Sequence, residues 1–210
     1  MSDTDADSRS LVVRAADWSS PEFAAYIDPA ARLIHEADPE FYGMFSEDEG
    51  CVLEAIRAQL AEPRCELGSA RVLLAGPALA GIHCCYALGQ AVLRQLVSLK
   101  ALLGVERPRE DVTERVRRFK QQVPPLEGPS LYLARLAVAG PFRGRGLGRK
   151  LLADFEAEAR AAGCDRASVH VRRANTRAVG LYRSAGYDVT GPADLEYLAM
   201  VKDLAPEERR

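Results

Sequence analysis

A predicted strand, a glycine-rich loop and a predicted helix follow one another in the second half of the chain. Leu131–Val138 is a mostly apolar strand, and Gly140–Arg145 is the loop. Apolar residues then recur at helical spacing until Gly163, namely Leu147, Leu151, Leu152 and Phe155. A strand that leads through such a loop into a helix leaves several backbone N–H groups unpaired and pointing the same way, which suits phosphate. The segment therefore predicts an anion site in a chain that mixes strands and helices.

The loop Arg143–Gly148 reads Arg-Gly-Arg-Gly-Leu-Gly. Its glycines lack the Cβ atoms that would keep an anion at a distance, and the basic residues around them are Arg143, Arg145, Arg149 and Lys150. A P-loop would have Ser or Thr after Gly-Lys, whereas Gly148 is followed by Arg-Lys-Leu. A dinucleotide motif counted from Gly144 would end on glycine, where this chain has Arg149. Both of these phosphate sites are excluded.

What remains is Arg143-x-x-Gly146-x-Gly148, which resembles the Arg/Gln-x-x-Gly-x-Gly/Ala motif of the GNAT acetyltransferase superfamily. Leu136-Ala137-Val138 resembles the L-x-V strand that precedes this motif in the family. A second, independent stretch resembles another family motif: Asn175-x-x-Ala178-x-x-Leu181-Tyr182-x-x-x-Gly186-Tyr187. The resemblance covers roughly Leu131–Tyr187.

The resemblance implies an α/β (α+β) GNAT fold, with a mixed, mostly antiparallel sheet of about seven strands flanked by helices on both faces. We expect a disordered tail over residues 1–10 and a single GNAT domain over residues 11–204. A helical insertion is predicted between strands 3 and 4, at about residues 89–126.

The first helix of this insertion, Gln90–Leu103, has apolar residues around much of its circumference. Such a helix is predicted to be covered on more than one side. The insertion could be extra core, a surface for a homodimer or other assembly, or a lid over the acceptor site. Because lids that contact water are seldom so apolar, packing or dimerisation is favoured.

The resemblance also implies a role for each site residue. The pyrophosphate of acetyl-CoA would lie on the loop residues Arg143, Gly144, Arg145, Gly146, Leu147 and Gly148. Pantetheine would pair like an added strand with Leu136, Ala137 and Val138, where the neighbouring strand Val169–Val171 splays away, and the Val138 N–H would polarise the thioester carbonyl. Tyr182 would give a proton to the departing thiolate, and Asn175 would hold pantetheine or stabilise the turn before the helix. The alternatives are a core aromatic for Tyr182 and a plain helix cap for Asn175.

The general base is left unassigned. Relatives often have a carboxylate just ahead of the L-x-V segment, where this chain has Arg135. His170 lies on the splayed strand, but a lone strand histidine is more often structural.

The acceptor is expected to be a primary amine of a small molecule or peptide. The net charge of −2, from 28 basic and 30 acidic residues, argues against nucleic acid and anionic membrane as partners. Seven acids and no lysine or arginine lie between Glu36 and Glu54: Glu36, Asp38, Glu40, Glu47, Asp48, Glu49 and Glu54. They could form a rim that attracts cationic amines, although a solvated face with capping acids is favoured. A catalytically inactive acyl-CoA sensor on the same fold is the alternative function.

The cysteines and the apolar segments of the sequence indicate where in the cell the protein is expected. Five cysteines, an odd number without C-x-x-C spacing, indicate neither a disulfide framework nor a zinc site, so no metal is expected. The pair Cys84-Cys85 is interpreted as ordinary buried residues that point to opposite faces of a strand. Because no secretory signal or membrane-spanning run is found, a cytoplasmic location is expected.

Overall fold

The computed structural model describes residues 11–192 and 194–204, so the predicted disordered tail lies outside the described residues. A seven-stranded sheet with the order β1-β2-β3-β4-β5-β7-β6 forms its centre. The strands are β1 (Leu11–Ala15), β2 (Ala70–Ala75), β3 (Ala78–Ala87), β4 (Leu131–Val138), β5 (Arg166–Arg172), β6 (Asp188–Thr190) and β7 (Tyr197–Asp203).

One neighbouring pair of strands is parallel, β4 with β5, and the other pairs are antiparallel. The turn between β2 and β3 contains Gly76, which has a φ of +58°. Glycine adopts this angle readily, whereas other residues adopt it only with strain. The mixed, mostly antiparallel sheet predicted from the sequence is therefore confirmed.

Helices cover both faces of this sheet. They are α1 (Pro21–Ala24), α2 (Ile27–Ala37), α3 (Pro39–Tyr42), α4 (Glu49–Ala61), α5 (Ala91–Leu103), α6 (Val112–Gln121), α7 (Leu147–Ala161) and α8 (Thr176–Ser184). The buried side chains of α2 and α4 pack with Val72 and Ile82 on one face, whereas those of α7 pack with Leu73 and Val169 on the other. Within the described residues, no helix is long and apolar enough to cross a membrane.

The inserted helices α5 and α6 lie between β3 and β4, as predicted, but the prediction that α5 is covered on more than one side is wrong. Only Ser98 and Leu102 of α5 are buried. Val92 is 74% exposed, and Leu93 and Leu96 are each 59% exposed. The periodicity shows which residues are apolar, but it cannot show how many neighbours the fold places around them.

The spacing of Ser46 and Glu49 in the sequence predicts a capping box before α4, but Ser46 is not the cap. Asp48 caps α4 through its side chain, which accepts from the Cys51 N–H at 3.2 Å. The Ser46 hydroxyl instead donates to the carbonyl of Arg107 at 2.6 Å, and so ties the start of α4 to the insertion.

Candidate functional site

The sheet opens between its two parallel strands. β4 pairs with β5 only from Leu131 to Leu133, opposite Ala167 to Val169. On the other side of β4, pairing with β3 continues as far as Val138, opposite Gly81. The last five residues of β4 therefore have a neighbouring strand on one side only, as the predicted splay requires.

Backbone groups of β4 point into this opening. The Ala139 N–H donates to the Ala80 carbonyl at 3.0 Å. Because the N–H direction alternates along an antiparallel ladder, the N–H groups of Leu136 and Val138 face away from β3 and towards β5. An extended ligand could pair with them as an added strand.

The glycine loop follows directly and sets up the start of α7. Gly144 and Gly146 have φ values of +79° and +77°. A Cβ on either would meet no atom within 4 Å, so the space beside them is open. A Cβ on Gly148 would lie 3.3 Å from the Leu181 side chain, so this glycine permits close packing of α7 against α8. Leu147 is buried with Leu151 in the core and anchors the first turn.

The basic side chains of the loop region are exposed, and those of Arg143, Arg149 and Lys150 donate to uncharged oxygens. The Arg143 Nε donates to the Val138 carbonyl at 2.9 Å, which folds the loop back on β4. Arg149 donates to the Ser184 hydroxyl at 2.8 Å, and Lys150 to the Leu11 carbonyl at 2.9 Å. The Arg145 guanidinium lies 5.7 Å from the centre of the Phe142 ring. Together with the N-terminus of α7, these cations favour an anion at the loop.

A cavity of about 880 Å³ adjoins the opening of the sheet. It is lined by β4 and β5, by the start of α8, by residues around α3 and by the insertion helices α5 and α6. Leu136, Asn175 and Tyr182 share its wall, so three predicted site residues from distant segments come together. Ala137, Val138 and the loop Arg143–Gly148 are not among the lining residues. The Ala137 side chain is buried in the core instead, and Gly144 and Gly146 of the loop are exposed to solvent.

Tyr182 is 5% exposed, and its ring lies 5.6 Å from that of Tyr187. Burial raises the pKa of the Tyr182 phenol. The side chain is therefore a neutral phenol at physiological pH, able to donate a proton or a hydrogen bond towards the cavity.

Asn175 caps α8, because its Oδ1 accepts from the Ala178 N–H at 3.1 Å. The structural role considered for this residue is thus confirmed. Its side chain also lines the cavity.

His170 is held on both ring nitrogens. Its Nε2 lies 2.8 Å from the Pro124 carbonyl, which can only accept, so Nε2 carries the proton and Nδ1 accepts from the Tyr132 hydroxyl at 3.2 Å. Burial lowers the pKa of His170. Through the hydrogen bond to Pro124, His170 links β5 to the end of the insertion. This agrees with the structural role favoured from the sequence.

Arg135 lies across the aromatic wall of the cavity. Its guanidinium carbon is 4.7 Å from the centre of the Phe41 ring, and its NH1 donates to the Ala134 carbonyl at 2.7 Å. Burial disfavours the cation, but Tyr42 and Glu66 nearby raise the pKa of Arg135. It remains a cation and cannot act as a base.

The acidic stretch is largely neutralised by arginines that are distant in the sequence. Arg109 pairs with Glu47, Arg107 pairs with Asp48 at 2.9 Å, and Arg172 pairs with Glu40. Asp38 caps α3 through the Phe41 N–H and lies 3.6 Å from Arg172. These contacts support the interpretation as a paired and capping face rather than as a free acidic rim.

The carboxylate of Glu66 in the cavity wall was not predicted from the sequence. Glu66 accepts a hydrogen bond from the Tyr86 hydroxyl at 2.8 Å, and its own N–H donates to the buried Ser98 hydroxyl of α5 at 2.9 Å. It lies in a loop before β2 with no motif around it, so no local signal could have found it.

A sheet that splays between two parallel strands, with a glycine loop and helix at the end of the first, defines the GNAT acetyltransferase fold. Residues 112–187 match the model of the acetyltransferase (GNAT) family, which confirms the resemblance on which the loop and the Asn175–Tyr187 motif were interpreted. No curated protein matches the chain.

Solved structures with this fold cover nearly the whole chain. An N-acetyltransferase from Staphylococcus aureus Mu50 has a TM-score of 0.63 at 20% identity, over 90% of this chain and 99% of that one. A histone acetyltransferase HPA2 and related acetyltransferase from Corynebacterium glutamicum ATCC 13032 has a TM-score of 0.60 at 19% identity, over 93% and 97%. A GNAT family acetyltransferase from Elizabethkingia anophelis with acetyl-CoA bound has a TM-score of 0.54 at 14% identity, over 93% and 99%.

Proposed function

We propose that this protein is an N-acetyltransferase that transfers an acetyl group from acetyl-CoA to a primary amine of a small molecule or peptide. The observation that carries the proposal is the opening between β4 and β5, into which the N–H groups of Leu136 and Val138 point, and which adjoins a cavity lined by Leu136 and Tyr182. The proposal is supported by the bound acetyl-CoA of one neighbour with this fold.

The residues present fit acetyl-CoA. The open space beside Gly144 and Gly146 and the N-terminus of α7 suit the pyrophosphate, as do the surrounding cations. Leu136 and Val138 offer backbone N–H donors to pantetheine and to the thioester oxygen, and Asn175 lies on the same wall. When bound, acetyl-CoA supplies the acetyl group as an activated thioester.

Two side chains, those of Glu66 and Tyr182, carry out the proton transfers of the proposed reaction. An ammonium acceptor must lose one proton before it can attack the thioester carbon, and we assign its uptake, directly or through water, to Glu66, a carboxylate of the cavity wall. The new C–N bond forms as the C–S bond breaks, and the second proton leaves the nitrogen for solvent. Tyr182 donates its phenol proton to the leaving sulfur and is reprotonated from solvent.

The cavity wall suggests an amine that carries an apolar or aromatic group. Phe41, Phe119 and Tyr197 stack edge to face along one side, with ring centres 5.3 Å apart in each neighbouring pair. Glu66 adds a carboxylate near the insertion. A cationic amine could place its charge on Glu66 and its carbon skeleton on these rings.

The direct test is to mix the purified protein with acetyl-CoA and pooled primary amines and to follow free thiol. We expect release above background for at least one pool, together with a product heavier by one acetyl group. Acetyl-CoA binding without release for any amine would instead support the inactive sensor.

A cytoplasmic location is part of the same proposal. It is supported by the five cysteines, all of which are free thiols in the structure.

A further inference from the structure

A second cluster of chemically reactive side chains lies outside the cavity, between β3 and the middle of α7. His83 and Cys85 lie two residues apart on β3, and Glu158 lies on α7 beside Asp154 one turn earlier. His83 is fully buried and Cys85 is 2% exposed. The proposed transfer of acetyl groups uses none of these residues.

One ring nitrogen of His83 is engaged in a hydrogen bond, and the other presents a lone pair. The His83 Nε2 lies 2.8 Å from the Asp154 carboxylate, which also accepts from the Arg71 Nε at 2.7 Å. The carboxylate is an acceptor, so Nε2 carries the proton and Nδ1 presents its lone pair. Burial lowers the pKa of His83, which keeps the ring neutral. The buried Nδ1 has no hydrogen-bond partner among the residues that the structure describes.

Two further potential ligand atoms lie close to the His83 ring. The Cys85 Sγ, one Glu158 carboxylate oxygen and a His83 ring nitrogen all lie within 4.8 Å of one another. The Glu158 Oε2 is buried, and within residues 11–192 and 194–204 it has no hydrogen-bond partner, although the Arg71 Nε lies 3.7 Å away. Buried polar atoms without partners cost stability, so two of them in one cluster with a thiol favour a bound ligand.

We propose that His83 Nδ1, Cys85 Sγ and Glu158 Oε2 bind a divalent transition-metal ion of the Zn²⁺ type. Imidazole, thiolate and carboxylate are the ligands that Zn²⁺ takes in proteins, at about 2.0–2.3 Å, and the fourth position of a tetrahedral set is left for water. The ligand atoms must close in by about 1 Å to reach these distances. Asp154 behind the imidazole is the carboxylate that commonly orients a metal-binding histidine.

The charges of the cluster balance when the ion is bound. Binding requires the Cys85 thiol to lose its proton to solvent, after which the thiolate, Glu158 and Asp154 are negative. Arg71 and a divalent cation offset these charges. The ion would tie β3 to α7, so the expected role is to stabilise this face of the sheet.

The test uses Co²⁺ as a spectroscopic probe for the Zn²⁺ site. The full chain is treated with a chelator, kept reduced with a phosphine and titrated with Co²⁺. We expect a thiolate-to-cobalt absorption band that saturates at one equivalent and is displaced by Zn²⁺. Cys85→Ser should remove the band, whereas Cys84→Ser should keep it, because Cys84 is equally buried but packs in the core on the other face of β3. Glu158→Gln should weaken Co²⁺ affinity by at least about tenfold.

Several outcomes would overturn the site. These are a wild-type chain without the band, a band that survives Cys85→Ser, and a band that Cys84→Ser removes while the fold is retained. If circular dichroism shows that Cys85→Ser does not fold, the Glu158→Gln variant becomes the test, because Glu158 is half-buried. Unchanged Co²⁺ affinity in Glu158→Gln then rejects the proposal.

Discussion

Tyr182 is the residue whose proposed role depends most on its surroundings. It is a buried neutral phenol in the cavity wall, and burial raises its pKa. Sequence reasoning found it through the motif that continues to Tyr187, but the motif alone could not separate a proton donor from a core aromatic. The position in the wall of the cavity is what makes the catalytic role testable.

Tyr182→Phe should lower kcat about 100-fold while changing CoA affinity less than threefold, because it removes the proton donor but keeps the ring. Steady-state thiol release and calorimetric CoA titration measure the two quantities. Tyr187→Phe is the matched control, since this tyrosine is equally buried and contacts Tyr182 but does not line the cavity. A loss of affinity with kcat preserved would contradict the role of Tyr182.

Glu66→Gln should raise the KM for a cationic amine about tenfold or more, because a hydrogen bond to a charged group contributes about 1.5–3 kcal/mol, and should also lower kcat, because the amide cannot take up the ammonium proton. The amide keeps an acceptor for the Tyr86 hydroxyl, so the wall should stay intact. Kinetics with the amine identified by thiol release provide the measurement. Glu62→Gln is the control, since its carboxylate pairs with Arg64 and does not line the cavity. Equal KM values for the two variants would remove Glu66 from the acceptor site.

Among the structural elements, the loop and the start of α7 follow most directly from sequence. Glycines at 144 and 146 are required by positive φ values, and the space beside them is open. The element that sequence reasoning misjudged is α5. Its apolar residues predicted burial, yet several of them are exposed or line the cavity, because only one side of the helix packs on the core.

Gly146→Ala should destabilise the fold by about 1–2 kcal/mol, because an L-residue is strained in the left-handed conformation that caps α7. It should also weaken CoA binding by displacing the N–H groups of the first turn. Urea unfolding and CoA titration measure both effects. Gly140→Ala is the control, since its φ is not positive and a Cβ there meets nothing within 4 Å. Equal losses of stability and of CoA affinity in the two variants would show that the left-handed conformation at Gly146 contributes to neither.

At the scale of the whole molecule, the exposed side of α5 is an apolar surface through which two chains can associate. A homodimer through this helix stays a prediction, supported by the exposure of Val92, Leu93 and Leu96. Of these, Val92 and Leu96 also line the cavity, whereas Leu93 does not. Leu93 can therefore test assembly without altering the acceptor site.

Leu93→Glu should keep the chain monomeric at concentrations where the wild type associates, because a charge in an apolar interface must be desolvated. Sedimentation velocity at several concentrations checks this. Val12→Glu, at a comparably exposed apolar residue on the edge strand β1, is the control and should associate like the wild type. Concentration-independent sedimentation of the wild type would reject a dimer.

The sequence by itself determined the order of strands and helices, the glycine loop and the motif from Asn175 to Tyr187. These features depend on local φ/ψ preferences and on short periodicities, which neighbouring residues set. Only the tertiary structure decided that Arg107, Arg109 and Arg172 pair with the acidic stretch and that Glu66 faces the cavity. It alone brought Glu158 beside His83 and Cys85, more than seventy residues away in the sequence. Such contacts arise from the packing of distant elements, and no local pattern encodes which side chains will meet.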